Sequence, residues 1–152
     1  MRKAILLVAA GLALVVSGCG EDDETTAASG TATTTTPADP PANPDTTLAV
    51  SMSEFKFAPA NPELARGNVE ITATNKGNTE HELVLLKTDK DPSKLPKDGN
   101  GVSEKDSVGE IPETPPGQDG SHTFDLKPGK YVMVCNIPGH YDAGMYGTLT
   151  VR

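Results

Sequence analysis

The sequence predicts an all-β fold, a sandwich or barrel of about 105 residues over positions 48–152, and three observations carry that prediction. Short runs rich in β-branched, leucine and aromatic residues recur from Leu48 onward: LAVSMSEFKF, VEITATN, HELVLLKT, SHTFDL, KYVMVCNI and YGTLTVR. Turn formers separate them, as in PAN, NKGN and KPGK. Several runs alternate, so that Val69, Ile71 and Ala73 face one side of a strand and Glu70, Thr72 and Thr74 the other, and no stretch sustains a helical period.

The chain before Leu48 reads as targeting and tether. Arg2 and Lys3 precede a thirteen-residue apolar stretch, AILLVAAGLALVV. That is short of the roughly 20 residues a bilayer crossing needs and suits a signal peptide over 1–18. The stretch ends in VSGC (16–19), which resembles a bacterial lipobox, and this assigns lipidation to Cys19; an ordinary cleaved signal with Cys19 incidental is the other reading. Removal of 1–18 takes away two positive charges and no negative ones, moving the formal net charge from −8 to −10. After Cys19, residues 20–47 (GEDDETTAASGTATTTTPADPPANPDTT) hold no large apolar side chain. Such a segment buries too little surface to offset chain ordering and is expected to be a disordered linker. Fully extended it spans at most roughly 90 Å, and about 30 Å as a coil. The domain is therefore expected to be exported and held by a lipid anchor at the outer face of the cytoplasmic membrane, or on its periplasmic side.

Within the domain, one segment lacks a pattern. Residues 89–120 (DKDPSKLPKDGNGVSEKDSVGEIPETPPGQDG) form a polar excursion too long for an ordinary connection. DPSKL is expected to make one helical turn with Asp91 as cap and Pro92 in first position, and SVGEI a short edge strand.

The chemistry concentrates in CNIPGHYDAGM (135–145), between the run KYVMVCNI and the last strand. Pro138-Gly139 supplies a turn and Gly144 frees the backbone before Met145, so Cys135, His140 and Met145 can face one point. His81 opens HELVLLKT, and a distant strand end can lie beside this loop. A thiolate, two neutral imidazoles and a thioether are the donors that suit one copper ion in both its oxidation states. Each residue has a plainer reading: Cys135 a small buried apolar residue, His140 a solvated loop residue, Met145 core filling, His81 a strand histidine. An unpaired cysteine in an exported protein nevertheless calls for an explanation. His122, in GSHTF, is expected to be an exposed strand-edge residue.

Residues 48–152 resemble the cupredoxins, the single-domain blue copper proteins. The Cys-x4-His-x4-Met spacing is similar to that of rusticyanin and auracyanin, Cys-x-x-Pro-Gly-His is shared with azurin, and DLKPGKYVMVC resembles the family's penultimate strand. The resemblance implies a Greek-key sandwich of about eight strands with copper at one end. Carried over by position, Cys135 is the thiolate ligand, His140 the solvent-side imidazole, Met145 the axial thioether and His81 the upstream imidazole. The Glu80 carbonyl is a candidate for a distant fifth ligand in the azurin manner, and the sequence leaves open whether it serves as one. Many cupredoxins follow the upstream histidine with an Asn that ties the ligand loops together; Glu82 stands there instead, so that tie must be replaced or absent. Ile137, Pro138, Tyr141 and Tyr146 are candidates for an apolar rim around His140, although plain packing or loop structure is the favoured reading of each.

These observations favour an electron carrier over an enzyme. Three histidines in the whole chain cannot build the additional histidine clusters that copper oxidases and nitrite reductases need, and a dinuclear centre needs a second loop cysteine. No small-molecule substrate is expected. An excess of acids, 15 Asp and Glu against 11 Lys and Arg over 48–152, argues against nucleic acid and for redox partner proteins with a basic docking face, belonging to a membrane electron-transport chain. The alternative is a copper-handling protein that stores or delivers the metal, although such proteins tend to be richer in Met and His motifs.

Overall fold

In the computed structural model the described residues are 44–152, and they form two facing β-sheets with no α-helix. The expected signal peptide, Cys19 and nearly all of the linker lie outside them. The strands are β1 (Thr46–Ser53), β2 (Lys56–Ala58), β3 (Glu63–Leu64), β4 (Gly67–Asn75), β5 (His81–Lys87), β6 (Lys97–Asp98), β7 (Gly101–Val102), β8 (Ser107–Thr114), β9 (Asp119–Leu126), β10 (Gly129–Val134) and β11 (Tyr146–Val151). One sheet has the order β2-β1-β4-β9, the other β3-β11-β10-β5-β8, and β6-β7 is a separate hairpin. The chain changes sheet between β2 and β3, β3 and β4, β4 and β5, β8 and β9, and β9 and β10, the repeated crossing expected of a Greek-key sandwich.

The boundary at Leu48 is corrected by two residues. Thr46 and Thr47, placed in the linker by composition, pair with Val69 and Glu70 in the parallel β1–β4 ladder. Asp45 extends that contact: its amide donates to the Asn68 carbonyl (2.8 Å) and its carboxylate accepts from the Asn68 amide (3.0 Å). Threonine is a good strand residue, and nothing in its composition distinguishes it from the threonines of the linker.

Alternation holds in β4, where Val69, Ile71 and Ala73 are buried and the residues between them half-buried. These residues join Val50, Met52, Leu83, Leu85, Ile111, Phe124, Met133 and Leu149 in the core between the sheets. Strand β5 does not alternate, being buried from His81 through Leu86. Its second face, Val84 and Leu86, packs with Val132 and Val134 of β10 into another apolar cluster on the outer side of the five-stranded sheet. Leu95, Val102 and Tyr141 cover that cluster.

The polar excursion is accordingly structured. Pro92–Lys94 is a single 3-10 turn with Asp91 as N-cap, its side chain accepting from the Ser93 amide. The β6–β7 hairpin follows, and Ser107–Thr114 is a full edge strand pairing with β5. The last two residues of the excursion, Asp119 and Gly120, open β9, whose edge position leaves His122 exposed as expected.

Candidate metal centre

The pairing of β5 with β10 and β11 sets the site. β5 and β10 are antiparallel with Val84 opposite Val134, so the residues before Val84 lie beside the residues after Val134. His81, first residue of β5, and Cys135, one residue past the end of β10, thereby meet at one end of the sandwich. Val134 also pairs with Tyr146, which returns Met145 to the same end: the Cys135 amide donates to the Met145 carbonyl (3.1 Å).

The loop between them is a chain of tight turns. The His140 amide donates to the Ile137 carbonyl (3.0 Å), that of Ala143 to Gly139 (3.0 Å), and that of Met145 to His140 (3.0 Å). Gly139 and Gly144 have φ of +87° and +102°, values that L side chains resist. The sequence expectation of a turn at Pro138-Gly139 and a freed backbone at Gly144 is met in this geometry.

Three donor atoms converge. His81 Nδ1 is 3.2 Å from His140 Nδ1, and Cys135 Sγ is 3.2 Å from the same nitrogen. One ligand atom from each of the three residues lies within 4.8 Å of the others. His81, Cys135 and Met145 are buried, while His140 is half-buried. Desolvation lowers the pKa of His81, helped by the neighbouring His140, and lowers that of His140. Both rings are therefore neutral imidazoles at pH 7, the form that ligates. Burial pushes the Cys135 thiol up to about 11, against the pull of the Glu82 and Ile137 amides. This soft and borderline set, dry and already gathered, fits copper.

Residues beyond the donors hold them. Glu82 takes the role left open by the missing Asn: its Oε1 accepts the Asn136 amide at 2.8 Å, joining the strand that carries His81 to the loop that carries Cys135. Burial raises the Glu82 pKa to about 7, the Asn136 amide opposing and Glu113, Glu104 and Glu110 adding to the rise. Buried Asn75 knots the chain before His81, its amide donating to the carbonyls of Thr79 (2.8 Å) and Thr114 (2.7 Å) while its oxygen accepts from Gly77 (2.8 Å). Asn136 reaches outward to the excursion, accepting from the Val102 amide (2.7 Å) and donating to Glu104 (2.6 Å).

Four residues were candidates for a rim around His140, with plain packing or loop structure the favoured reading of each. Two of them, Tyr141 and Tyr146, instead join the cluster on the outer face of the five-stranded sheet, and the Tyr141 hydroxyl donates to the Pro92 carbonyl (2.7 Å) and accepts from the Leu95 amide (3.0 Å). Ile137 packs on the inner core and Pro138 is exposed. Sequence reasoning missed Phe55, whose ring meets that of His140 edge-on at 4.9 Å between centroids and which is 38% exposed. Its signal was a large apolar side chain in the short turn of SEFKF, where alternation gives it no core to face.

A β-sandwich with a thiol and two imidazoles gathered at one end defines the cupredoxin class. Residues 44–152 match the model of the copper binding proteins of the plastocyanin/azurin family, and the chain belongs to that family. It is similar to the copper-resistant cuproprotein CopI of Rubrivivax gelatinosus, 31% identical over 175 residues covering 100% of this chain and 97% of that protein. It is also similar to auracyanin-B of Chloroflexus aurantiacus, 58% identical over 36 residues that cover 23% of this chain and 15% of that one. The solved auracyanin B structure superposes with a TM-score of 0.60 at 26% identity over 73% of this chain and 91% of that chain. The auracyanin of Roseiflexus castenholzii shares the fold at a TM-score of 0.59 and 22% identity, over 72% of this chain and 99% of that chain.

Proposed function

We propose that the protein is a one-electron carrier with a mononuclear blue copper centre, in which Cys135 is the thiolate ligand, His81 and His140 the imidazole ligands and Met145 the axial thioether. The observation that carries this reading is a gathered and buried donor set: three ligand atoms within 4.8 Å, on a strand end and a loop tied together by the Glu82 carboxylate. Copper bound there supplies a one-electron couple between Cu⁺ and Cu²⁺. The chain's part is to hold the donors in one geometry for both charges, which the strand pairing, the turn hydrogen bonds and the Glu82 tie all serve. His140 is the donor of the three with exposed surface, and Phe55 beside it makes this end the port for the electron. A lipid anchor at Cys19 and the tether that follows it, up to β1, hold the domain outside the cytoplasmic membrane, within reach of redox proteins of the membrane chain. No catalytic step belongs to this reading.

A second reading, copper storage or delivery, is favoured by the full-length similarity to a protein named as copper-resistant. One experiment separates the two. The domain loaded with Cu²⁺ is expected to be intensely blue, to bleach with ascorbate and to keep its copper against a chelator through repeated cycles. A pale protein that yields copper readily supports handling. Cys135→Ser is expected to abolish the colour and His122→Ala to leave it.

A further inference from the structure

We infer that Glu54 is the outer partner of His81: its carboxylate accepts a hydrogen bond from the Nε2–H of the imidazole whose Nδ1 faces the other donors, fixing that tautomer and biasing the centre toward Cu²⁺. The inference rests on the reading of His81 as a copper ligand.

Three observations carry it. His81 Nδ1 points at His140 and Cys135, so Nε2 is the nitrogen left over; it is buried and, among the described residues, has no hydrogen-bond partner. A buried N–H without a partner is costly, so it is tolerated where ligand binding or a small movement supplies the partner. The atom facing it is Glu54 Oε1 at 3.6 Å, beyond hydrogen-bond length and within a few tenths of an ångström of it. Ligand histidines donate their second ring N–H to a carboxylate, a carbonyl or water, and a carboxylate makes the ligating nitrogen the stronger donor.

The carboxylate is also seated. Its Oε1 accepts from the amides of Asn78 (2.5 Å) and Thr79 (3.0 Å) and from the Thr79 hydroxyl (3.3 Å). It lies over Gly77, where an added Cβ would come within 2.6 Å of Oε1. The same short turn thus places two consecutive side chains on the centre, Glu54 on His81 and Phe55 on His140. A negative charge held beside a ligand favours the more positive oxidation state, and a carboxylate accepting a hydrogen bond from the imidazole N–H does so further.

Glu54→Gln separates charge from tether, because the amide oxygen still accepts from Asn78 and Thr79. The full chain and this variant are compared by reduction potential, by thermal unfolding and by ¹⁵N NMR of the His81 ring with Zn²⁺ bound. The expected result is a cooperative unfolding transition at a modestly lowered midpoint, since the amide oxygen accepts more weakly than the carboxylate, and a Cu²⁺/Cu⁺ equilibrium moved about tenfold toward Cu⁺, a rise of about 59 mV. In the zinc form of the wild type, His81 is expected to carry its proton on Nε2, protected from exchange, with faster exchange in the variant. A potential within twofold of wild type in equilibrium terms, or an equal shift in Glu63→Gln, in β3 beside the far end of β11, overturns the inference. A His81 ring that shows no metal-dependent shift on Nδ1 overturns instead the ligand assignment beneath it, so the two failures are distinct.

Discussion

At the scale of single residues, the centre is governed by what burial does to charge. Cys135, with its pKa raised to about 11, is a thiol at neutral pH, so metal uptake must expel its proton. The imidazoles, their pKa values lowered, have none to lose. Between pH 7.5 and 9.5 the apparent affinity for a thiolate-seeking ion such as Cd²⁺ is expected to rise about tenfold per pH unit, measured by competition titration. Glu82 acts on the fold itself. Its folded pKa of about 7 lies above the ordinary 4.5, so between those values the folded state holds a proton the unfolded state has released. Stability of the apoprotein therefore falls as pH rises through this window and levels off above it, by on the order of 1–3 kcal/mol, and denaturant titrations of Glu82→Gln are expected to lose that slope. Glu54 works in the opposite sense at lower pH. Hydrogen bonds, first from the Asn78 amide, hold it at about 2, so its contribution is present above 4.5 and is lost as pH falls toward 2.

Elements explain what the polar excursion is for. LVLL in β5 and YVMV in β10 are unbroken apolar runs, and a strand reads that way when both of its faces are covered. The covering comes from 92–102, pinned by Tyr141 and Asn136 of the ligand loop, so the same segment that closes the outer cluster also braces the loop carrying Cys135 and His140. Tyr141→Phe removes both hydroxyl bonds, leaving the buried Leu95 amide without its acceptor. It is expected to lower unfolding free energy by about 1–3 kcal/mol in urea titrations. The helical turn with Asp91 and Pro92 was legible because capping is a local matter of a few atoms. The two-residue strands β6 and β7 were not, since nothing in KD or GV prefers a hairpin until Val102 finds the cluster beneath it.

Over the whole molecule, charge decides encounter more than affinity. The domain carries four more acids than bases over 48–152, with Glu104, Glu110 and Glu113 close enough to raise the pKa of Glu82. Association with a basic redox partner is expected to slow as salt is raised from about 10 mM to 150 mM, seen in stopped-flow traces as a lower second-order rate with little change in dissociation. A rate that does not respond to salt would count against charge-guided encounter.

What the sequence alone determined is whatever short-range chemistry can write. Alternation in VEITATN, the turn formers between runs and the Cys-x4-His spacing each involve neighbours within a few residues, and they led to the observed strands and to Cys135 and His140 of the gathered cluster. The tertiary structure decided which distant groups meet. Glu82 reaches Asn136 across 54 positions, Tyr141 reaches Leu95 across 46, and the Glu54 carboxylate comes to His81 from a turn in the opposite sheet. None of these has a local signature, because a side chain's partner across a sandwich is set by sheet order and register, which exist only once the whole chain has packed.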